Sequence, residues 1–194
     1  MVVLNRIYTR TGDDGTTALG TGERRKKCDL RIASYGTVDE TNAAIGIVRL
    51  HTHHDAEIDA MLGRIQNDLF DLGADLSAPA PGEEKGSAGS RLTVSEAQVT
   101  RLEAEIDRLN AALLPLRSFV LPGGTSAAAY LHLARTICRR AERMMVELAD
   151  RPGEAVSAAA LKYVNRLSDF LFVASRYVNQ QGGGDVLWVP GKNR

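Results

Sequence analysis

The chain has 194 residues, 44% of them apolar and 25% charged, and its 24 Lys plus Arg balance 24 Asp plus Glu. A zero net charge argues against a nucleic-acid binder, which carries a basic excess, and the lack of any run of about 18 apolar residues argues against a membrane span. Two cysteines, Cys28 and Cys138, cannot make a disulfide framework and fit a cytoplasmic protein, while the opening MVVLNRIYTRTGDDG turns polar before a secretory signal core can build.

The length fits one domain, 1–194. Its head, 1–27, sets Gly12, Gly15, Gly20 and Gly22 among Thr, Asp and Arg, which predicts irregular structure with sharp turns. From Arg31 to about Leu50, Ile32, Tyr35, Val38, Ile45 and Val48 fall at roughly helical spacing. Ile58, Met61, Leu62, Ile65, Leu69, Leu72 and Leu76 make a cleaner stripe. The stretch from Ser77 to Arg91 is rich in Pro, Gly and Ser and predicts a mobile connector. Thr93-Val-Ser-Glu96 matches a capping box, and Val99, Leu102, Ile106, Leu109 and Leu113 follow it. Leu121-Pro-Gly-Gly-Thr125 breaks the chain, and Thr125 or Ser126 can cap a helix that runs to about Asp150. The last helix is expected from about Glu154 to Gln181. Low aromatic content points the same way, so the expected class is all-α: an antiparallel five-helix bundle over 31–181 with short loops and a flexible tail, 182–194.

The fourth helix is the most informative. Ala134, Ile137, Cys138, Ala141, Met145 and Leu148 form an apolar face, and Cys138 reads as a small core residue. Arg135, Arg139 and Arg143 recur at every fourth position, with His132 in the same row and Arg140 beside it. Like charges so spaced repel by a few tenths of a kcal/mol per pair, which an anion would offset. The planar guanidinium fork suits phosphate. The alternative is a solvated face with Glu142 and Glu147 as local partners.

Thr9-Arg10-Thr11-Gly12-Asp13-Asp14-Gly15-Thr16-Thr17 offers glycines that let backbone N–H groups approach an anion, hydroxyl donors, and carboxylates able to hold Mg²⁺. It is not a Walker A loop, and an ordinary turn cluster has the same composition. Arg24-Arg-Lys-Lys27 reads as solvated surface unless it adjoins a phosphate loop. Asp39 and Glu40 point in different directions from the first helix; one of them facing inward would need a cation, and Arg135 is available, whereas the alternative is plain exposure of both. His51, His53 and His54 lie close together without ligand spacing to other donors, so a solvated helix end is expected. No Glu-x-x-His pair suggests a di-iron bundle, and no triad suggests a protein nucleophile. Phe119, before Val-Leu-Pro-Gly-Gly124, reads either as a hydrophobic plug or as a binding wedge. Asn165, inside the last helix, is placed to hydrogen-bond something.

Four stretches in order, YTRTGDDGTT, RIASYGTVDETN, FVLPGGTSAAAYLHLARTICRRAER and YVNRLSDFLFVASRYVN, together resemble the PduO-type ATP:cob(I)alamin adenosyltransferases over roughly Ile7 to Gln180. The resemblance implies a trimer with active sites between subunits. It implies transfer of the 5′-deoxyadenosyl group of ATP to cob(I)alamin, with release of triphosphate and Mg²⁺ on the phosphates. Carried over by motif, Thr9 to Thr17 would wrap the triphosphate, and Lys27 would contact ATP. Arg135, Arg139, Arg140 and Arg143 would lie along the nucleotide, with Glu142 and Asn165 completing the site. Asp39 would pair with Arg135 across the subunit boundary. Phe119 would sit under the corrin and favour loss of its lower ligand. Thr41 stands where the family usually has Leu. A cobalamin reductase and an adenosylcobalamin-dependent enzyme are expected partners. Two other functions compete: a carrier that delivers adenosylcobalamin, and a helical ATP-binding scaffold without cobalamin chemistry.

Overall fold

The computed structural model describes residues 7–78, 92–180 and 182–194. It contains a two-stranded antiparallel hairpin, β1 (Thr16–Ala18) and β2 (Arg24–Lys26), followed by five helices: α1 (Leu30–Arg49), α2 (Ala56–Ser77), α3 (Glu96–Asn110), α4 (Ser126–Ala149) and α5 (Ala158–Gln180). The expected five helices are therefore present, and the small hairpin is an addition. Strands of three residues fall below what alternation can reveal, and the basic run that forms β2 reads as surface in the sequence.

The helices begin where short polar side chains can receive orphan N–H groups. Asp29 caps α1, Asp55 caps α2 and Thr125 caps α4. At α3 the capping box is Ser95 with Gln98, not Thr93 with Glu96. The same i,i+3 logic applies, two residues later. The start of α5 also moves, from the expected Glu154 to Ala158, with Ser157 Oγ accepting from Ala160 N at 3.1 Å. Glu154 is drawn away by two arginines. Its carboxylate receives Arg31 Nη2 at 2.5 Å and is also bonded by Arg25 of β2.

Packing runs α2–α1–α4–α5–α3, and α3 returns to α2 through Arg64–Glu105 and Arg101–Asp68. The core contains the expected stripe of α2 and Val38, Ile45 and Val48 of the α1 stripe, together with Leu102, Leu109, Cys138, Met145 and Phe170, while Tyr35 packs against it partly buried and Ile32 is half-buried. Arg31, in the first turn of α1, is 0% exposed. It also donates to the Leu76 and Ala155 carbonyls, at 2.7 and 3.0 Å, so it bolts α1, α2 and the α4–α5 loop together. The hairpin docks at the same end through Gly20 N to Ser77 O at 2.9 Å.

The tail is a correction. Expected to be flexible, it is fastened at 185–188: Val120 and Leu187 form an antiparallel bridge, and Arg176 pairs with Asp185 at 2.8 Å. Most of the connector expected at Ser77 to Arg91 lies outside the described residues.

Candidate functional site

The predicted site residues occupy three places in one chain. The first is the head. Asp14 Oδ1 accepts from Thr16 N at 2.9 Å and from Thr16 Oγ1 at 2.7 Å. These bonds hold its carboxyl below the ordinary value, with Arg24 adding to them. Arg24 donates to the Thr11 carbonyl at 2.5 Å and to Thr16 Oγ1. Thr9 and Thr11 hydroxyls lie 2.9 Å apart. Arg10 takes φ 64° with its guanidinium 5.7 Å from the centre of the Tyr8 ring, and Gly15 takes φ 81°. A Cβ on Gly12 would lie 3.1 Å from Thr16 O and 3.2 Å from Lys27 Nζ, so the ammonium of Lys27 hangs close over Gly12. Asp13 and Asp14 are exposed, and Thr17 is half-buried. Of the two carboxylates, Asp14 is engaged and Asp13 enters no ion pair among the described residues.

Asp39 lies in a groove beside the turn of the hairpin. With Ala18, Gly20, Tyr35, Asn42 and Phe70 it lines an open groove of about 590 Å³ between α1, α2 and the hairpin. Phe70 is 72% exposed there. Asp39 and Glu40 both face solvent, so neither is the inward acid envisaged from the sequence. Glu40 pairs with Arg140 at 2.5 Å, an inter-helix partner that a scan of α4 alone does not show. Asp39 makes no ion pair with Arg135 within the chain, among the described residues.

The second place is the outer side of α4 and α5. Arg135 is half-buried, its guanidinium 5.9 Å from the centre of the Phe172 ring, and its buried Nε lacks a hydrogen-bond partner among the described residues. Burial, and then repulsion from Arg139, pulls its pKa below the ordinary value. Arg139 and Arg143 are exposed and joined only through Arg143 Nη1 to the Arg139 carbonyl at 3.1 Å. Glu142 accepts from Asn165 Nδ2 at 2.9 Å, and Asn165 Oδ1 accepts from Arg166 at 3.0 Å. Glu142 forms no ion pair with the row among the described residues. His132 is a correction: it is buried, not part of the exposed row. Ser175 Oγ lies 3.2 Å from its Nε2 and Phe172 lies against its ring edge. Burial lowers its pKa, with Arg135 adding to the shift.

The third place is the loop before α4. Phe119 is 76% exposed and its ring centre is 5.9 Å from that of Trp188. Trp188 is a partner that no local pattern singles out, because it lies some seventy positions away in a segment without periodicity. Elsewhere, Cys138 is in the core, its thiol pushed up by burial and donating to Val164 O at 3.4 Å. His51 stacks on Tyr130 at 5.2 Å, while His53 and His54 are exposed. No cluster of three or more His, Cys, Asp or Glu suited to a metal occurs among the described residues.

Comparison with known proteins matches these features to a family. The sequence profile of the cobalamin adenosyltransferases covers residues 7–178. The chain is 50% identical over 193 residues to the corrinoid adenosyltransferase of Mycobacterium tuberculosis, covering 100% of this chain and 97% of that protein. It is 41% identical over 185 residues to that of Bacillus subtilis, covering 93% and 91%. A variant PduO-type ATP:corrinoid adenosyltransferase from Lactobacillus reuteri, complexed with cobalamin and ATP, superposes with a TM-score of 0.84 at 37% identity, covering 94% of this chain and 99% of that one. The chain belongs to the cobalamin adenosyltransferase family.

Proposed function

We propose the following account of how this chain acts. It transfers the adenosyl group of ATP to cobalamin, and its substrate is the cob(I) state. The cobalt electron pair attacks C5′ of ATP, the C5′–O bond breaks, and its electrons leave on triphosphate. No proton has to move and no protein nucleophile is needed. The protein aligns cobalt with C5′, worth on the order of 7–11 kcal/mol. It also stabilises the leaving oxyanion, worth about 3–4 kcal/mol per well-placed donor.

The observation that carries this reading is the arginine row. Arg135, Arg139 and Arg143 have no carboxylate partner among the described residues, and Arg135 holds its cation half-desolvated. Arg140 reaches the nucleotide by exchanging Glu40 for phosphate, and Glu142 and Asn165 orient the adenosine side. The head supplies the rest: Thr9 to Thr17 and Lys27 wrap the triphosphate. Mg²⁺ fits as a phosphate-borne ion, because the head offers Asp13 and an engaged Asp14 but no cage of its own. Mg²⁺ usually takes one or two carboxylates with substrate phosphates, and when bound it supplies charge to the leaving group. Phe119, exposed and apolar, would pack beneath the corrin and favour loss of its lower ligand as the cobalt passes to the cob(I) state.

We assign the complete site to two copies of the chain. Asp39 lies on the α1–α2 surface beside the hairpin, and the arginine row lies on the α4–α5 surface. A homotrimer brings one surface against the other, pairs Asp39 with Arg135 and covers Phe70. A reductase that supplies low-valent cobalt and an adenosylcobalamin-dependent acceptor fit upstream and downstream. The exposed free thiol of Cys28 suits the reducing cytoplasm.

The test is a spectral assay with chemically reduced cobalamin, ATP and Mg²⁺. The expected result is conversion of the corrin spectrum with one triphosphate per adenosylcobalamin. Unchanged spectra, or release of pyrophosphate or orthophosphate as the primary product, would refute it.

A further inference from the structure

The segment after α5 lies outside every role assigned so far, yet it is fitted to the Phe119 loop. Gly182 N and Gly184 N both donate to Asn179 O at 2.9 Å and turn the chain back. Gly183 and Gly184 take φ of 100° and 94° there. Asp185 then accepts from Arg176 Nε at 2.8 Å, and Arg176 Nη2 donates to Leu114 O at 2.8 Å. Beyond it the chain runs antiparallel to the loop. Leu121 N donates to Val186 O and Trp188 N donates to Phe119 O, each at 2.8 Å. Ser118 Oγ donates to Trp188 O at 2.6 Å. On the far side of the loop the buried Asn179 holds Gly123 O at 3.0 Å and Thr125 N at 2.9 Å.

We propose that residues 185–188 form a clasp, locked by the Arg176–Asp185 ion pair, that positions Phe119 for the corrin. The clasp rests on the reading of Phe119 given above. An exposed ring on an unsupported loop samples several orientations, and fixing one at each binding event costs affinity or rate. Backbone bonds at a solvated edge contribute little net energy each, so bridge pairing alone sets the register weakly. The ion pair sets it strongly. Its side chains are only 9% and 14% exposed, and separating them leaves a desolvated charge unpaired. Sliding by one residue would also turn Trp188 to the opposite face, away from Phe119. Arg176 and Asp185 are thus positioning residues, acting through the tail and not on substrate.

The test compares Asp185→Asn, a chain ending at Gly184, Phe119→Ala, and each tail change combined with Phe119→Ala. It reads kcat and KM for ATP, and the electron paramagnetic resonance spectrum of bound cob(II)alamin, in which splitting by the axial nitrogen reports the lower ligand. It also reads the emission of Trp188, the only tryptophan in the chain. Each tail change should lower kcat about tenfold with KM for ATP within about twofold, an effect confined to the reacting complex. More bound corrin should retain its lower ligand. In the Phe119→Ala background the same changes should add less than about twofold, because both act through one ring. In Asp185→Asn, Trp188 emission should shift to the red. If Asp185→Asn fails to fold, Trp188→Ala, which keeps both charges, carries the kinetic and spin-resonance readings. Normal kcat in the shortened chain, or losses that multiply with Phe119→Ala, would overturn the clasp alone. Normal turnover by Phe119→Ala would overturn the reading of Phe119 and the clasp with it.

Discussion

Arg135 combines three properties seldom found together on a structural arginine: partial burial, a depressed pKa and no carboxylate partner among the described residues. A guanidinium left in that condition is prepared for an anion. Arg139→Ala is therefore expected to lower kcat by about a hundredfold or more, as for loss of a donor to a leaving oxyanion. Its thermal unfolding should stay unchanged, since the side chain is exposed; steady-state kinetics and calorimetry check both halves. His132 makes a separate prediction. Burial sets its pKa below the ordinary 6.5, so over a window below that value the unfolded chain binds a proton that the folded chain refuses. Stability is then full above 6.5 and falls as pH drops through the window. The wild-type melting temperature should decline as pH falls below 6.5, and His132→Gln should decline less; identical slopes would show that the imidazole does not contribute.

The arginine row is legible in the sequence, because side chains at every fourth position of a helix share a face whatever the helix packs against. His132 is not, because three residues before Arg135 is also the edge of the buried face, and only the neighbouring α5 decides which way the ring turns. The Glu40–Arg140 pair spans two helices and has no local signal.

The element most exposed to a single change is the hairpin. It is fastened by Gly20 to α2 and by Arg25 to Glu154, which also neutralises the buried Arg31. Burial pushes the Glu154 carboxyl upward, but hydrogen bonds from Arg25 and Arg31 prevail and hold it below 4.5. Its contribution is therefore present at neutral pH and lost as the medium turns acidic. Glu154→Ala should cost about 3–5 kcal/mol, because it strands a fully buried guanidinium. The urea midpoint should fall with an unchanged slope. If the hairpin also positions the phosphate loop, KM for ATP should rise in the same variant. The long helices can be read from their stripes and breakers, whereas the α3 cap and the α5 start each lie a few residues from where local pattern puts them. Glu154 shows why: a long-range ion pair removes the residue that would otherwise open the helix.

At the scale of the whole molecule, Asp39 makes no ion pair with Arg135 within the chain among the described residues, although its neighbour Glu40 pairs with Arg140. Asp39 and Phe70 face outward from α1 and α2, and the arginine row faces outward from α4 and α5. Asp39→Asn should weaken assembly and raise KM for ATP together, read by analytical ultracentrifugation and kinetics. An effect on neither would separate Asp39 from Arg135. A sequence cannot show which of its own surfaces are left unmet, since unpaired charge and exposed apolar rings become visible only once the chain is folded.

Mixing two inactive variants, Lys27→Ala in the phosphate loop and Arg139→Ala in the row, tests the shared site most directly. If each site takes its loop from one copy and its arginines from the next, random reassembly restores about a quarter of the intact sites. The mixture should then regain that fraction of adenosyl transfer while each variant alone stays inactive. A mixture no more active than its components would contradict the account.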